Sequence, residues 1–322
     1  MNKIDIDSLN NFLADSNIPY QAFQKLPASG QRDVYLSECL VDRKQYIVKV
    51  AHYNKYNVAR IEREIKILNQ INSSYFPSVI FETFVSKTTL EQYYENIFTA
   101  EIAMGQHAEA KAKIEYFQKN PLQPFYLTVE NYIENLPWNI FWTSATESTV
   151  LNFIRHCFIG LDLLWTHNIA HRDLKPANLL VRPDQTPVII DLGIAKSFND
   201  GTVDLTPGFL DTPHTFRYGS PEQLLNRKAD INYKSDQYSM GIVAYQLLCN
   251  KFPFGDMVDI GPDQVIQNML QFNYTTVSDA GGHCCDAFEA LIKKLLQPEP
   301  HQRFRTTKKL FQQIDNIYGA LQ

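Results

Sequence analysis

The chain has 322 residues, of which 44% are hydrophobic and 12% aromatic, enough for one large or two medium domains with a packed core. Its formal net charge is −5, from 30 basic and 35 acidic residues without a long run of either sign, so we expect no nucleic acid and no membrane among its partners. The five scattered cysteines exclude a disulfide scaffold, and neither a secretory leader nor a membrane-spanning stretch of about 18 apolar residues is predicted, so we expect a cytoplasmic protein.

Strand-like runs dominate the first part of the chain. We interpret 1–22 as an N-terminal extension, and runs rich in Val, Tyr, Leu and Ile predict strands over 31–50. Shorter strands are predicted over 76–85 and 125–132. Before these shorter strands, and directly after the strands over 31–50, apolar residues at steps of three and four predict a helix over roughly 55–71. Its apolar face is formed by Val58, Ile61, Ile65 and Leu68.

A segment over 86–124 separates the last two predicted strands. Its Ala, Glu, Lys and Gln content favours a helix, interrupted near Gly105 and ended before Pro121. A connection this long inside a domain indicates an added element, which is either a docking or regulatory element for a partner or a surface elaboration without function.

The rest of the chain is mainly helical by its apolar periodicity. Helices are predicted over 150–164, 235–248, 285–296 and 308–321. The pattern as a whole predicts a small, sheet-rich lobe followed by a larger helical lobe.

The segment His171 to Asn178, HRDLKPAN, carries the strongest chemical signal. Its eight positions resemble the catalytic loop of eukaryotic-type serine/threonine protein kinases, and the resemblance runs in order over about 26–305. It implies that Asp173 orients the substrate hydroxyl and accepts its proton, that Lys175 reaches the transferred phosphate and that Asn178 ligates a metal ion.

The resemblance also implies a fold and domain bounds. The fold is α+β and bilobal, with an antiparallel-sheet N-lobe that contains one αC-type helix and a mainly helical C-lobe. The N-lobe covers 23–132, including the insertion over 86–124, and the C-lobe covers 133–322.

A second metal-binding residue follows an apolar strand predicted over 188–190. Asp191, Leu192 and Gly193 resemble the element in which the aspartate holds a metal ion that bridges the phosphates of ATP, the co-substrate. Oxygen ligands imply Mg²⁺, with Mn²⁺ as the alternative.

On the strand side, Lys49 resembles the lysine that holds the α and β phosphates. Its expected partner is Glu64, which lies on the apolar face of the predicted helix, where an unpaired carboxylate would be costly. Glu62 is the competing choice.

The loop that covers the phosphates is the least regular part of the match. Pro27, Ser29 and Arg32 stand where the family has glycines, and only Gly30 lies nearby. Ser29 and Gly30 are therefore the residues implied to approach the phosphates. Ile47 replaces an alanine and would lie against adenine. The resemblance implies further nucleotide contacts at Val34, Val129, Glu130, Tyr132 and Leu180.

The segment over 215–222, TFRYGSPE, resembles the part of the family that binds the protein substrate. The resemblance implies that Thr215 hydrogen-bonds Asp173 and Lys175, and that Glu222 forms a buried pair with Arg303. Asp236 is expected to hold the backbone of the catalytic loop. Arg172 is the kind of cation that pairs with a phosphate on the activation segment, Asp191 to Glu222. The candidates are Thr202, Thr206 and Thr212, of which Thr206 and Thr212 are preferred, and the alternative is that none of them is modified.

These residues together predict ATP-dependent phosphorylation of serine or threonine hydroxyls on a protein substrate. The first alternative is a pseudokinase or nucleotide-binding scaffold that acts through partners, suggested by the glycine-poor loop and Ile47. The second is an enzyme of the same fold with another acceptor.

Overall fold

The chain divides into two units in a computed structural model, which describes residues 4–29, 32–108, 111, 115, 123–192, 195–197 and 216–321. Unit 1 comprises Met1–Gln70 and Pro77–Tyr132, and unit 2 comprises Ile71–Phe76 and Ile133–Gln322. Within the described ranges, no helix is both long enough and apolar enough to cross a bilayer.

Unit 1 is built on a five-stranded antiparallel sheet. Its strands are β1 (Tyr20–Ser29), β2 (Arg32–Cys39), β3 (Gln45–His52), β4 (Val79–Val85) and β5 (Phe125–Asn131), in the order β1-β2-β3-β5-β4. The predicted strands are confirmed, and β1 is an addition to them. Side chains directly opposite one another on paired strands share a face. Val34, Lys49 and Thr128 therefore lie on one face, and Tyr35, Val48 and Val129 on the other.

The face that carries Tyr35 is covered by α1 (Ile6–Asp15), which lies in the predicted N-terminal extension. Asp5 caps this helix by accepting a hydrogen bond from Ser8 N at 2.8 Å. Its buried residues belong to the same apolar cluster as Tyr35 and Val48. The side chain of Asn10 pairs with both backbone groups of Ala22 on β1, at 2.8 and 2.7 Å, in the manner of an added strand.

Helix α3 (Lys87–Ala103) covers the same face and forms the first part of the predicted insertion. Ser86 caps it, and it ends just before Gly105, whose φ is +75°, close to the predicted interruption. Tyr93 packs edge-on against Phe12 of α1, with ring centroids 5.3 Å apart. The first half of the insertion is therefore part of the core of unit 1.

The opposite face packs against α2 (Lys55–Ile71), the helix predicted over the same residues. Ile61 and Ile65 form a small apolar cluster with Ala51 of β3 and Tyr126 of β5. The 3.6-residue period of the sequence thus selects the face of α2 that meets the sheet.

Unit 2 is mainly helical. Its helices are α4 (Trp138–Ser144), α5 (Glu147–Thr166), α6 (Pro221–Leu224), α7 (Tyr233–Cys249), α8 (Met257–Ile260), α9 (Pro262–Gln271), α10 (Asp286–Leu295) and α11 (Thr307–Leu321). Its strands form two short pairs, β6 (Ile169–Ala170) with β9 (Lys196–Ser197) and β7 (Leu179–Val181) with β8 (Pro187–Ile189). The four helices predicted from periodicity are confirmed.

The core of unit 2 forms around α5 and α7, which contact each other, while α10 and α11 pack against them. Gly241 lets α7 approach the end of α10, because a Cβ at this position would lie 2.9 Å from Leu296 Cδ2. The loop between β6 and β7 projects from this helical base, and it contains the predicted catalytic segment.

Candidate catalytic site

A buried carboxylate of α7 holds the backbone of the loop His171 to Asn178. Asp236 accepts hydrogen bonds from the backbone nitrogens of His171 and Arg172, at 2.9 and 2.8 Å, and from Trp165 Nε1 at 2.9 Å. Burial raises the pKa of Asp236, against the opposing effect of these donors. The predicted role of Asp236 in holding the loop is confirmed, and the tight backbone turn places Arg172 at φ +73°.

Asp173 lies between an ammonium and an amide. Lys175 Nζ donates to its two carboxylate oxygens at 3.0 and 2.9 Å, and Asn178 Nδ2 donates to its carbonyl oxygen at 2.8 Å and to Oδ2 at 3.0 Å. Burial raises the pKa of Asp173, while the charge and hydrogen bonds of Lys175 act to lower it. The three residues thus form one hydrogen-bonded group.

The segment that follows β8 and carries Asp191 lies beside this group. Ile190 N donates to the carbonyl oxygen of Asn178 at 3.0 Å, and Ile190 O lies 3.2 Å from His171 Nε2. Asp191 follows in a left-handed conformation with φ +65°, and Leu192 is fully buried. Gly193, the last residue of this element, lies outside the described residues.

Asn178 and Asp191 suit a hard cation. Because the amide nitrogen of Asn178 is used on Asp173, its amide oxygen is the atom left for a ligand. Amide and carboxylate oxygens are the ligands that Mg²⁺ prefers, in few-ligand sites completed by water and phosphates. Within the described ranges, no cluster of three or more His, Cys, Asp or Glu side chains could hold a metal ion.

The segment that follows Thr215 is tied to the loop by a residue that sequence reasoning missed. Gln223 Nε2 donates to the carbonyl oxygen of Arg172 at 2.8 Å, and Gln223 Oε1 accepts from the backbone nitrogen of Ser220 at 3.1 Å. Ser220 and Gln223 stand at capping-box spacing, which was the available signal. Thr215, Thr202, Thr206 and Thr212 lie outside the described residues.

Glu222 and Arg303 form the predicted buried pair. Two hydrogen bonds join them, from Nη1 to Oε1 at 2.7 Å and from Nη2 to Oε2 at 2.8 Å, and Ser235 Oγ donates to Oε1 at 2.7 Å. Burial opposes the charge of Glu222, but the hydrogen bonds and charge of Arg303 outweigh it and lower the pKa of Glu222. The guanidinium of Arg303 also lies 4.8 Å from the ring centroid of Tyr238.

In unit 1, Lys49 and Glu64 have different partners from those predicted. Lys49 Nζ lies 2.6 Å from Glu130 Oε1, and Glu64 Oε2 lies 2.7 Å from Arg32 Nη1. The predicted Lys49–Glu64 pair is therefore wrong for this structure. Strand register explains the change, because Arg32 and Glu130 lie on the same sheet face as Lys49, and register cannot be seen from Lys49 and Glu64 alone.

The residues predicted around the nucleotide divide between the two faces of the unit 1 sheet. Val34 lies opposite Lys49, and Ile47 lies opposite Glu130 on the same face. The side chain of Val129, however, faces the core under α1 and α3, so it does not share the face of Lys49. Thr128 takes that place, and within the described part of the chain its buried hydroxyl has no hydrogen-bond partner.

The other residues predicted to contact the nucleotide are Ser29, Gly30, Tyr132 and Leu180. Ser29 ends β1 with its backbone paired to Arg32, and Gly30 lies outside the described residues. Tyr132 follows β5 and is partly exposed. Leu180 lies on β7 in unit 2.

Comparisons with known proteins bear on the family and the fold of this chain. A family model described as the protein kinase domain matches residues 32–314. Similar proteins include a probable serine/threonine-protein kinase of Clostridium perfringens, 31% identical over 159 residues (49% of this chain, 22% of that protein), and serine/threonine-protein kinase B of Synechocystis, 27% identical over 221 residues (66% and 36%). Human ribosomal protein S6 kinase alpha-2 is 29% identical over 155 residues (47% and 20%). In each case the matched region covers only a minor part of the relative.

The autoinhibited serine kinase domain of the giant muscle protein titin has a similar structure. Its TM-score is 0.69 at 17% identity, over 95% of this chain and 83% of that chain. The similarity confirms the predicted fold class.

Proposed function

The chain belongs to the protein kinase family, and from that premise we propose that it transfers the γ-phosphoryl group of ATP to serine or threonine hydroxyls of a protein substrate. The observation that carries the proposal is the group formed by Asp173, Lys175 and Asn178 beside Asp191. It contains an acceptor for the hydroxyl proton, a cation for the transferred phosphate and two oxygen ligands for a metal ion.

The side chains divide the reaction among them. Asp173 orients the substrate hydroxyl and accepts its proton. The hydroxyl oxygen bonds to the γ phosphorus, and the bond between the γ phosphorus and the bridging β-phosphate oxygen breaks, which releases ADP. Lys175 lies on the same carboxylate and is placed to meet the incoming phosphate charge. Lys49 holds the α and β phosphates. Asn178 and Asp191 would hold Mg²⁺, or Mn²⁺ in its place, which neutralises the phosphate charge when bound.

The experiment incubates the protein with Mg²⁺, γ-labelled ATP and a generic basic protein. Wild type is expected to label serine and threonine residues, and Asp173→Asn and Asp191→Ala to lose at least about 100-fold in rate, in the range of a lost general base. Asp263→Asn, at an exposed aspartate in the first turn of α9, is the matched control and should keep wild-type activity. Equal or absent labelling in wild type and the two site variants would contradict the proposal.

A nucleotide-binding scaffold without transferase activity is the second candidate. The pairs Lys49–Glu130 and Arg32–Glu64 favour it, because they depart from the pairing that the family resemblance implies. The same assay separates the two functions. A wild type that binds Mg·ATP with no label on any protein would be a scaffold.

We also propose that the insertion over 86–124 binds a regulatory partner through the exposed side of α3. Lys87 and Glu91 are exposed there, on the side away from the buried Leu90 and Tyr93. Reversing both charges should weaken capture of a partner from cell extract and leave basal activity unchanged. Unaltered capture by the reversed variant would contradict a docking role for this side.

A further inference from the structure

Two buried ion pairs occupy one face of the unit 1 sheet. Arg32 Nη1 lies 2.7 Å from Glu64 Oε2, and Lys49 Nζ lies 2.6 Å from Glu130 Oε1. The relative exposures of Arg32, Glu64, Lys49 and Glu130 are 8%, 2%, 6% and 4%. Charges buried this deeply persist only when they are paired and hydrogen-bonded, so the choice of partner fixes where each cation lies.

The partner of Lys49 follows from strand register. Lys49 lies opposite Thr128, and Glu130 lies opposite Ile47, so Lys49 and Glu130 are diagonal neighbours on one face. Diagonal positions on antiparallel strands are about 7–8 Å apart, within reach of long side chains. Because β3 and β5 are paired along their length, this ion pair does not depend on the position of a helix.

The partner of Glu64 is chosen by the packing of α2. Arg32 begins β2 and lies opposite Ala51, the β3 residue that clusters with Ile61 and Ile65 of α2. Its guanidinium donates to both oxygens of Glu64, at 2.7 and 3.4 Å. An arginine fork matches a carboxylate in this two-point manner, whereas lysine presents a single compact charge. Arginine is therefore the better partner for Glu64, and Lys49 is left to Glu130.

We propose that Glu130 is the positioning residue of Lys49 and that Arg32 replaces Lys49 as the partner of Glu64. The inference rests on the proposed function, since that function assigns Lys49 to the phosphates of ATP. The lysine is then oriented within the sheet, while α2 is tied to the strand that follows the glycine-poor loop. Arg32 stands where the family has a glycine, so a single substitution changes both the loop and the pairing.

The test measures the dissociation constant of Mg·ATP together with KM and kcat for a set of variants. In Glu130→Gln, ATP binding should weaken about tenfold or more with a smaller change in kcat, because Lys49 loses a charge-assisted hydrogen bond. Arg32→Gln and Glu64→Gln each break the same ion pair. The double variant should therefore bind Mg·ATP no more weakly than the weaker-binding of the two single variants. The change that Glu130→Gln causes in the binding free energy of Mg·ATP should add to the change caused by Arg32→Gln or Glu64→Gln. Glu134→Gln, at an exposed glutamate, is the matched control.

Three results would overturn the inference. The first is a Glu130→Gln variant that binds Mg·ATP as tightly as Glu134→Gln, and the second is additive effects of Arg32→Gln and Glu64→Gln. If Glu130→Gln does not fold, Glu130→Asp keeps the charge on a shorter side chain and should weaken binding, so wild-type affinity in that variant is the third. If wild type binds Mg·ATP but transfers no phosphate, the proposed function is contradicted. The role of Glu130 is then still tested, because it is measured by the dissociation constants of Mg·ATP.

Discussion

At the residue scale, the buried carboxylates of unit 2 have separate tasks. Asp236 accepts hydrogen bonds from the indole of Trp165 and from two backbone nitrogens of the loop over 171–178, and so holds that loop in place. Glu222 is held by the guanidinium of Arg303 and joins the segment after residue 216 to the helical base. Asp173 is held by the side chains of Lys175 and Asn178, and it is the carboxylate to which we assign the proton transfer in the proposed function. The three carboxylates thus differ in their hydrogen-bond partners.

The Glu222–Arg303 pair makes the first prediction, which concerns stability against pH. The hydrogen bonds and charge of Arg303 hold the pKa of Glu222 in the folded protein below its ordinary value. The stabilising contribution of Glu222 is therefore present above that ordinary value and is lost as pH falls through the folded pKa. Glu222→Gln should therefore lower the free energy of unfolding at pH 7 by about 3–5 kcal/mol, because Arg303 is left buried and unpaired. The variant should also lose less stability than wild type on acidification.

Denaturant unfolding at several pH values measures this effect. The matched control is Glu299→Gln, since Glu299 pairs with Arg227 at 3.0 Å in a half-exposed position and should contribute at most about 1 kcal/mol. A Glu222→Gln variant that behaves like Glu299→Gln would show that the buried pair adds no stability.

At the element scale, the sheet of unit 1 is covered on both faces. Helix α2 packs on the face that carries Lys49, and α1 and α3 pack on the other. The buried face of α2 could be predicted from the period of its apolar residues, because the helix packs on one surface only. The sequence did not predict that α1 and α3 pack on the sheet. Both helices are buried by contacts with strands that are distant in sequence, such as the contact of Phe12 with Phe125.

Helix α3 makes the second prediction. Leu90→Ala should lower the free energy of unfolding by about 2–5 kcal/mol, because it opens a cavity in the core shared with α1. Tyr93→Ala should also be destabilising, since Tyr93 packs on Phe12 and its hydroxyl donates to Asp15 at 3.0 Å. Glu91→Ala, on the exposed side of the same helix, should change stability by about 0.5 kcal/mol or less. Denaturant unfolding of the three variants would contradict a structural role for α3 if all three matched wild type.

At the scale of the whole molecule, the match to the protein kinase domain over residues 32–314 includes both units. The large relatives extend well beyond this region, so the substrate and partners of the complete protein are proposals.

Phosphorylation of the activation segment is the third prediction. Arg172 adjoins Asp173 and provides a cation for a phosphate on Thr202, Thr206 or Thr212, because a phosphorylated side chain carries about −1.5 to −2 charges. Incubation with Mg·ATP should raise the intact mass of wild type, and the Asp173→Asn and triple Thr→Ala variants should show no increase. Full activity of an unphosphorylated preparation would contradict the prediction.

The sequence alone determined the family, the succession of a sheet-rich part and a helical part, and the motif over 171–178. These features are local, because the loop over 171–178 carries its chemistry in adjacent positions and α2 shows its buried face by its own period. The tertiary structure decided which charges meet. Lys49 pairs with Glu130, Glu64 pairs with Arg32, and Gln223 reaches the catalytic loop. Partners of this kind are set by strand register and helix packing between distant segments, and no short stretch of sequence contains that information.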